Sequence, residues 1–284
     1  NAISIGWGDR CYEYLTRFEQ DFARHLQIKH VVATSSCTGA LHLGLAALGI
    51  GVGDEVILAD TNWVATVSPI IHLGAQPVLV DIEPETWCID PIKVEEAITD
   101  RTKAIIATHL YGNVAKMDEL IEIGLRHNVA VVEDAAEAIG SKLNLQHAGT
   151  MGSFGTFSFH GSKTITTGEG GAVLVKKVAH KVIVESFRDW GRDCWCPPGC
   201  DNTCLKRYEW TLGQLPAGYD HKYTYSHLGY NLKSGDIQAA IGLAQLDRLE
   251  DFIELRRRNW NYLKAGLKGL EEFLALPEVA ENSN

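Results

Sequence analysis

The chain has 284 residues, which is long enough for one large domain or two smaller ones. Charged side chains make up 22% of the residues, and the formal net charge is −10 at pH 7. The acidic balance argues against nucleic acid or an anionic membrane as the main partner, and no apolar run approaches the roughly 20 residues that span a bilayer. Seven cysteines and no visible signal peptide indicate thiols or metal ligands, and not a disulfide framework, in a cytoplasmic protein.

The predicted elements begin with a helix and then alternate between strands and helices. Apolar residues recur at helical spacing from Cys11 to Leu26. Short apolar runs follow, separated by stretches of helical length. The predicted strands are 31–33, 56–59, 77–81, 104–108 and 129–133, and the predicted helices are 39–48, 65–73, 91–98 and 116–127. Repeated strand–helix–strand units predict an α/β fold with a mainly parallel sheet covered by helices on both faces.

Four segments should lie together at one edge of this sheet. Ligands bind at the carboxyl ends of the strands in such sheets. The segments that follow predicted strands and carry polar or aromatic side chains are 35–39, 60–63, 109–112 and 133–137. The sequence therefore predicts a ligand site that these four segments share.

The first of these segments opens a helix. Backbone N–H groups at a helix N-terminus are free to bind a phosphate, so the start of this helix, residues 36–41, is a candidate phosphate site. On local grounds an ordinary helix cap by Ser36 or Thr38 is equally compatible with the sequence.

Trp63 and Asp134 each follow a predicted strand in two of the other segments. Tryptophan there can lie flat over an aromatic ring, although most tryptophans belong to a core. An aspartate can bind a pyridine nitrogen, keep it protonated and make the ring an electron sink, although most aspartates at strand ends are turn or cap residues. Their order along the chain is more specific than either residue alone.

The run 158–171 places Lys163 in a polar turn between predicted strands 154–159 and 171–175. A partly desolvated lysine amine condenses with a carbonyl to give a Schiff base. Ser158 and the glycine-rich end of the run offer hydroxyl and backbone groups for a phosphate. A lysine on a loop is usually only a surface residue, but in this run the pattern favours attachment of pyridoxal 5′-phosphate (PLP).

The two segments 133–140 and 158–171 identify the chain by resemblance. It resembles the DegT/DnrJ/EryC1/StrS family of PLP-dependent nucleotide-sugar enzymes over essentially its whole length, which implies the aspartate-aminotransferase fold. The resemblance implies that Lys163 forms the Schiff base and that Asp134 pairs with the pyridine nitrogen. It further implies these contacts with the cofactor: Thr38, Gly39 and Ser158 with its phosphate, Trp63 stacked on its ring, and Glu137 beside it. Asn231 matches the asparagine that reaches the phosphate of the neighbouring subunit, which implies a homodimer with shared active sites.

The two halves of the chain resemble different branches of the family. Residues 1 to about 175 resemble the sugar aminotransferases, such as GDP-perosamine synthase. From about residue 178 the chain resembles the CDP-4-keto-6-deoxyglucose 3-dehydrases, chiefly in 188–204 and 218–231.

Two positions bear on the chemistry. The dehydrases carry histidine in place of the Schiff-base lysine, whereas this chain has Lys163. Iron–sulfur dehydrases hold a [2Fe–2S] cluster through four cysteines, three of them spaced like Cys194, Cys196 and Cys204, and the fourth position is Ala136 here. Cys200 as a substitute ligand and a four-thiolate zinc site remain alternatives, but we expect no metal.

The sequence therefore predicts amino transfer, with glutamate as the donor, to the keto group of a nucleotide-linked deoxysugar in surface polysaccharide biosynthesis. The alternative within the fold is 3-dehydration of a CDP-4-keto-6-deoxy sugar with pyridoxamine phosphate. A non-catalytic protein with the same fold is a third reading, and the presence of both Lys163 and Asp134 argues against it.

Two domains are expected from the resemblance. Residues 1–235 would form the large PLP-binding domain, and 236–284 would begin a small C-terminal domain that continues beyond residue 284. Apolar positions from Ile237 to Leu255 predict one long packed helix over 236–267. His160 is a candidate substrate contact, whereas His221 and His227 fit structural roles better.

Overall fold

A seven-stranded sheet forms the centre of the protein, in a computed structural model that describes residues 2–4, 10–196 and 200–284. The strands are β1 (His30–Thr34), β2 (Glu55–Ala59), β3 (Gln76–Val80), β4 (Thr102–Thr108), β5 (Ala130–Asp134), β8 (Phe154–Ser158) and β9 (Gly171–Val175); a small hairpin comprises β6 (Lys142–Leu143) and β7 (Gln146–His147). The order across the sheet is β1-β9-β8-β5-β4-β2-β3. Strands β8, β5, β4, β2 and β3 are parallel, and β9 pairs antiparallel with β8 and β1. This confirms the predicted α/β fold.

Helices cover both faces of the sheet. They are α1 (Glu13–His25), α2 (Cys37–Ala47), α3 (Val64–His72), α4 (Pro91–Ala97), α5 (Met117–His127), α6 (Val178–Arg188), α7 (Asp236–Leu246) and α8 (Leu249–Gly266). Helices α2, α3 and α6 enclose one hydrophobic core, and α1, α4, α5, α7 and α8 enclose the other. Val131 and Val132 are neighbours in β5, but Val132 packs in the core that α2 helps to enclose and Val131 packs in the other. They differ because side chains alternate between the two faces of a strand.

The predicted long helix over 236–267 is wrong, because the chain forms two helices there. Arg248 leaves helical geometry (φ −108°, ψ 3°), so that α7 ends before it and α8 begins after it. The change of direction lets α7 pack Gly242 onto Phe18 and lets α8 bury Ile253 against Gly140. Two residues of the predicted packed stripe, Ile237 and Ile241, are 54% and 43% exposed.

The side chains of Glu19 in α1 and Arg188 in α6 both form hydrogen bonds with the backbone of β1 and so link these three elements. Glu19 accepts a hydrogen bond from Ala33 N (2.8 Å), and Arg188 Nη1 donates to Ala33 O (3.1 Å) and lies 3.4 Å from Glu19 Oε1. The Glu19 side chain is only 19% exposed. Burial raises the pKa of Glu19 to about 7, although the guanidinium of Arg188 opposes the shift.

We expect the free energy of unfolding of the protein to fall between pH 5 and pH 8. We expect the Glu19→Gln substitution to remove this fall. A carboxyl whose pKa is higher in the folded state stabilises below its unfolded pKa, and this contribution is lost as the pH rises towards 7. The wild-type free energy of unfolding should drop by about 2 kcal/mol relative to the variant over this range. Urea unfolding at pH 5 and at pH 8 measures this free energy for the wild type and the variant. Glu254→Gln, at an exposed position of α8, is the control, and parallel pH profiles for wild type and Glu19→Gln would contradict the prediction.

All seven cysteines are free thiols. Among the helices that the structure describes, none combines the length and the apolar character needed to cross a bilayer.

Candidate active site

The carboxyl ends of the parallel strands open into a cavity of about 640 Å³, which we call the lysine cavity. The four segments predicted to meet at this edge all contribute to it: Ser36–Thr38, 61–63, 109–111 and 134–137. Of the predicted site residues, six line the cavity: Thr38, Trp63, Asp134, Glu137, Ser158 and Lys163. The strand order thus brings together residues that lie more than 120 positions apart in the chain.

Helix α2 begins at the wall of the lysine cavity. Ser36 is its N-cap, and Ser36 Oγ accepts a hydrogen bond from Gly39 N at 3.0 Å. The cap therefore uses the N–H of Gly39, which does not itself line the cavity. Strand β9 approaches closely here, since a Cβ atom on Gly171 would lie 2.4 Å from the carbonyl carbon of Ser36. Thr38 and the start of the helix thus face the cavity at the positive end of the helix dipole.

Asp134 ends β5 and is 4% exposed at the inner wall of the cavity. Its carboxylate accepts hydrogen bonds from Thr66 Oγ1 (2.7 Å) and from Ala136 N (3.1 Å). Burial raises the pKa of Asp134, and these hydrogen bonds oppose the rise. No lysine or arginine among the described residues forms an ion pair with it. A buried carboxylate without a cation favours a ligand that brings a positive charge.

Glu133, the residue before Asp134, faces the protein interior. Its carboxylate is fully buried and accepts hydrogen bonds from three backbone N–H groups, those of Gly149 (2.7 Å), Met151 (2.6 Å) and Gly152 (2.6 Å). His109 Nε2 lies 3.0 Å from its Oε2. Glu133 therefore fixes the segment that leads into β8, and the sequence analysis did not assign it this role.

Lys163 lines the same cavity as Asp134 and is held by Glu137. Lys163 Nζ donates to Glu137 Oε1 at 3.0 Å, and the side chain of Lys163 is 23% exposed. The other carboxylate oxygen of Glu137 accepts from Tyr111 N at 3.0 Å. Glu137 thereby fixes the position of the amine at the cavity wall. Tyr111 belongs to the predicted segment 109–112 but was not assigned a role there, and Thr66 lies outside the four predicted segments.

The outer part of the lysine cavity is formed by Trp63, Ser158 and His160. Trp63 is 74% exposed, so its ring is available to a ligand instead of belonging to a core. His160 lines the cavity as proposed, with Nε2 at 3.6 Å from Glu169 Oε1. By contrast, His221 is buried and stacks on Trp210, with ring centroids 4.5 Å apart.

Asn231 is a predicted site residue that lies outside the lysine cavity. It is exposed, accepts a hydrogen bond from Lys233 Nζ at 2.7 Å and does not line the lysine cavity. In the cysteine-rich stretch, burial acts to raise the pKa of the Cys196 thiol, but hydrogen bonding by Thr203 and by the neighbouring Cys204 and Cys194 outweighs it and lowers this pKa to about 7. Within the described residues, which leave out 197–199 of this stretch, no group of three or more His, Cys, Asp or Glu is arranged to hold a metal.

The residues of the lysine cavity fit PLP. The start of α2 with Thr38 and Ser158 suits a phosphate, and the exposed Trp63 suits an aromatic ring. Asp134 is a buried anion with no cationic partner among the described residues, which suits a protonated ring nitrogen. Lys163 supplies the amine that binds the aldehyde.

Comparison with known proteins gives a family and several relatives. The model of the DegT/DnrJ/EryC1/StrS aminotransferase family matches residues 1–284. The chain is 48% identical to the lipopolysaccharide biosynthesis protein RfbH of Salmonella typhimurium, a match that covers 94% of the chain and 63% of RfbH. It is 44% identical to dTDP-4-dehydro-2,6-dideoxy-D-glucose 3-dehydratase of Saccharopolyspora spinosa, over 94% of the chain and 60% of that enzyme. The chain thus spans less than two thirds of the length of these two relatives.

Aminotransferases are also among the relatives. The chain is 36% identical to GDP-perosamine synthase of Caulobacter vibrioides, over 98% of the chain and 68% of that enzyme. The crystal structure of NtdA from Bacillus subtilis, with bound cofactor PMP, has a TM-score of 0.76 and 32% identity, over 95% of the chain and 56% of NtdA. Relatives of both kinds match nearly the whole chain, so the predicted division into two halves of different resemblance stays a prediction.

Proposed function

Since the chain belongs to the DegT/DnrJ/EryC1/StrS aminotransferase family, we propose that it transfers an amino group to the keto group of a nucleotide-linked deoxysugar. PLP is the cofactor, glutamate is the amino donor, and the product serves lipopolysaccharide or related surface polysaccharide synthesis. The observation that carries this proposal is the placement of Lys163 and the buried Asp134 in one cavity, where no lysine or arginine of the described part of the chain pairs with Asp134.

Each residue of the lysine cavity has a defined task in this reaction. Bound PLP supplies an electron sink for the carbon that loses its proton. Asp134 holds the ring nitrogen in its protonated form, and Thr66 keeps the Asp134 carboxylate in place through the 2.7 Å hydrogen bond. Thr38 and Ser158 bind the phosphate, and Trp63 covers the ring and excludes water from one face.

Lys163 has two tasks. Its Nζ would hold the aldehyde group of the cofactor and, when not bonded to it, would move the proton to and from the donor carbon as a general acid–base. Glu137 keeps Nζ within the cavity by the 3.0 Å contact.

The second candidate function is 3-dehydration of a 4-keto-6-deoxy sugar. It is favoured by the similarity to the Saccharopolyspora spinosa 3-dehydratase and by the cysteine-rich stretch that contains Cys194, Cys196 and Cys204. The presence of Lys163 favours amino transfer, because by resemblance the dehydrases carry histidine at this position.

The proposal extends to assembly and location. Asn231 is exposed and lies outside the lysine cavity, which agrees with a role at the phosphate of a second copy in a homodimer. Ile237 and Ile241 of α7 are apolar and exposed, as residues of a subunit interface would be in a single chain. Seven free thiols suit a reducing compartment, the cytoplasm. Residues 1–235 form the PLP-binding domain, and 236–284 begin the small one.

Labelled glutamate distinguishes the two candidate reactions. The purified chain is incubated with PLP, ¹⁵N-glutamate and a CDP- or GDP-linked 4-keto-6-deoxy sugar, and the sugar product is analysed by mass spectrometry. We expect ¹⁵N in the product. A product that has lost water but contains no ¹⁵N would replace the aminotransferase proposal with the dehydrase reading.

A further inference from the structure

Three thiols of the cysteine-rich stretch, residues 194–204, form a cluster outside the lysine cavity. Cys196 accepts hydrogen bonds from the thiols of Cys194 and Cys204, and none of the three lines the cavity. All three are half-buried and carry free thiols. The hydrogen bonds place the sulfur of Cys196 next to those of its two neighbours, and the proposed amino transfer gives this cluster no task.

The sulfur of Cys196 accepts further hydrogen bonds from the side chain of Thr203 and from the backbone of Cys204. Burial acts to raise the pKa of the Cys196 thiol, but the hydrogen bonds outweigh it and lower this pKa to about 7. The thiolate is the nucleophilic form of cysteine, and reactive cysteines are partly exposed to solvent. Cys196 is therefore suited to attack a small electrophile.

Cys204 faces a histidine that can take its proton. His221 Nε2 lies 3.8 Å from Cys204 Sγ, and His221 Nδ1 lies 2.8 Å from the carbonyl oxygen of Arg207. Because a carbonyl oxygen only accepts, Nδ1 carries the hydrogen, and in the neutral ring Nε2 is left as an acceptor beside the thiol. Arg207 is itself held by Asp220 through hydrogen bonds of 2.8 and 2.7 Å. Carbonyl, imidazole and thiol thus have the arrangement in which a fixed base activates a cysteine.

We propose that Cys196 and Cys204 form an oxidation site that reacts with hydroperoxides and closes a reversible disulfide, with His221 as the base for Cys204. The inference does not rest on the proposed amino transfer. Disulfides of cytosolic proteins are mostly transient and sense oxidants, which agrees with a pair that is reduced in the structure.

Oxidation of the pair takes two steps. The Cys196 thiolate attacks one oxygen of the peroxide, so that an S–O bond forms and the O–O bond breaks. The leaving oxygen takes up a proton and departs as water, or as an alcohol from an alkyl hydroperoxide, and Cys196 becomes a sulfenic acid. Cys204 then gives its proton to His221 and its sulfur attacks Cys196. The S–S bond forms, the S–O bond breaks, and the departing hydroxide takes that proton to become water. The two thiols lose two electrons, which reduce the peroxide.

The test oxidises the full, reduced chain with hydrogen peroxide at pH 7 and locates the products by peptide mass spectrometry. Cleavage before aspartate gives the peptides 193–200 and 201–219, since residues 193, 201 and 220 are aspartates, and so separates Cys196 from Cys204. We expect these two peptides to be joined by a disulfide that dithiothreitol reduces. With dimedone present during oxidation, the sulfenic acid should be trapped on Cys196.

Three variants separate the two steps. Cys204→Ser should lose the disulfide and still give the dimedone adduct on Cys196. His221→Gln should give this adduct at the wild-type rate but close the disulfide at least about 10-fold more slowly, because the base is lost. Cys200→Ser is the matched control, since Cys200 is the exposed cysteine of the same stretch, and it should leave both steps unchanged. Far-UV circular dichroism verifies the folding of each variant.

Three results would overturn the inference. The first is wild-type protein whose two peptides are not joined after oxidation, or a disulfide that persists in Cys196→Ser. The second is a dimedone adduct that forms on Cys200 as fast as on Cys196, because oxidation would then follow exposure alone. The third is stoichiometric zinc or iron in the purified, reduced chain, because the thiols would then be metal ligands. Each of these results would leave the proposed amino transfer standing.

Discussion

Replacing Lys163 with alanine will lower turnover with glutamate and keto-sugar by roughly 10⁴-fold or more, because one residue supplies both the attachment of the cofactor and the proton transfer. The side chain of Lys163 is 23% exposed, and it donates a hydrogen bond to Glu137 in the cavity wall, so the fold should survive. The measurement is the rate of ¹⁵N transfer from glutamate to the sugar, with far-UV circular dichroism to verify folding.

The same experiment includes a control and a rescue. Lys177→Ala changes an exposed lysine at the start of α6 and should leave the rate unaltered. A small amine such as methylamine, added in excess, should restore part of the activity of Lys163→Ala, because it can enter the space that the side chain leaves. Turnover of Lys163→Ala within tenfold of wild type would remove Lys163 from the mechanism.

Replacing Asp134 with asparagine will lower kcat by about 10²- to 10⁴-fold while PLP still forms its adduct with Lys163. Asparagine has nearly the same shape and can still accept from Thr66 Oγ1, but it carries no negative charge to keep a ring nitrogen protonated. The measurements are single-turnover kinetics with glutamate and borohydride trapping followed by peptide mass spectrometry.

Asp60→Asn is the matched control for Asp134→Asn. Asp60 also follows a strand at the same edge of the sheet, but it is exposed and does not line the lysine cavity, so its replacement should leave kcat unchanged. An Asp134→Asn variant with wild-type kcat would show that the buried carboxylate has only a structural role.

Much of the site was predictable because it depends on the order of elements along the chain. Apolar runs fixed the strands to within two residues of those observed, and parallel strands place their carboxyl ends at one edge. Thr38, Trp63, Asp134 and Lys163 follow from that rule together with the motif around the lysine. The residues that line the lysine cavity were therefore identified mostly from local sequence.

The remaining features depend on contacts between distant segments. The hydrogen bond from Thr66 to Asp134 joins residues 68 positions apart, and no local pattern distinguishes this threonine from any other in a helix. The break between α7 and α8 was missed because it is set by packing on Phe18 and Gly140, and a periodic apolar pattern continues across it.

The adjacent acids of β5 give that strand an unusual sensitivity to insertions and deletions. Glu133 points into the interior, where it binds three backbone N–H groups, and Asp134 points into the lysine cavity. Adding or removing one residue within β5 would exchange their faces, because side chains alternate along a strand. A single such change would place the Glu133 carboxylate in the lysine cavity and the Asp134 carboxylate in the interior. Evolution of this strand is therefore expected to proceed by substitution, with length changes confined to the connecting loops.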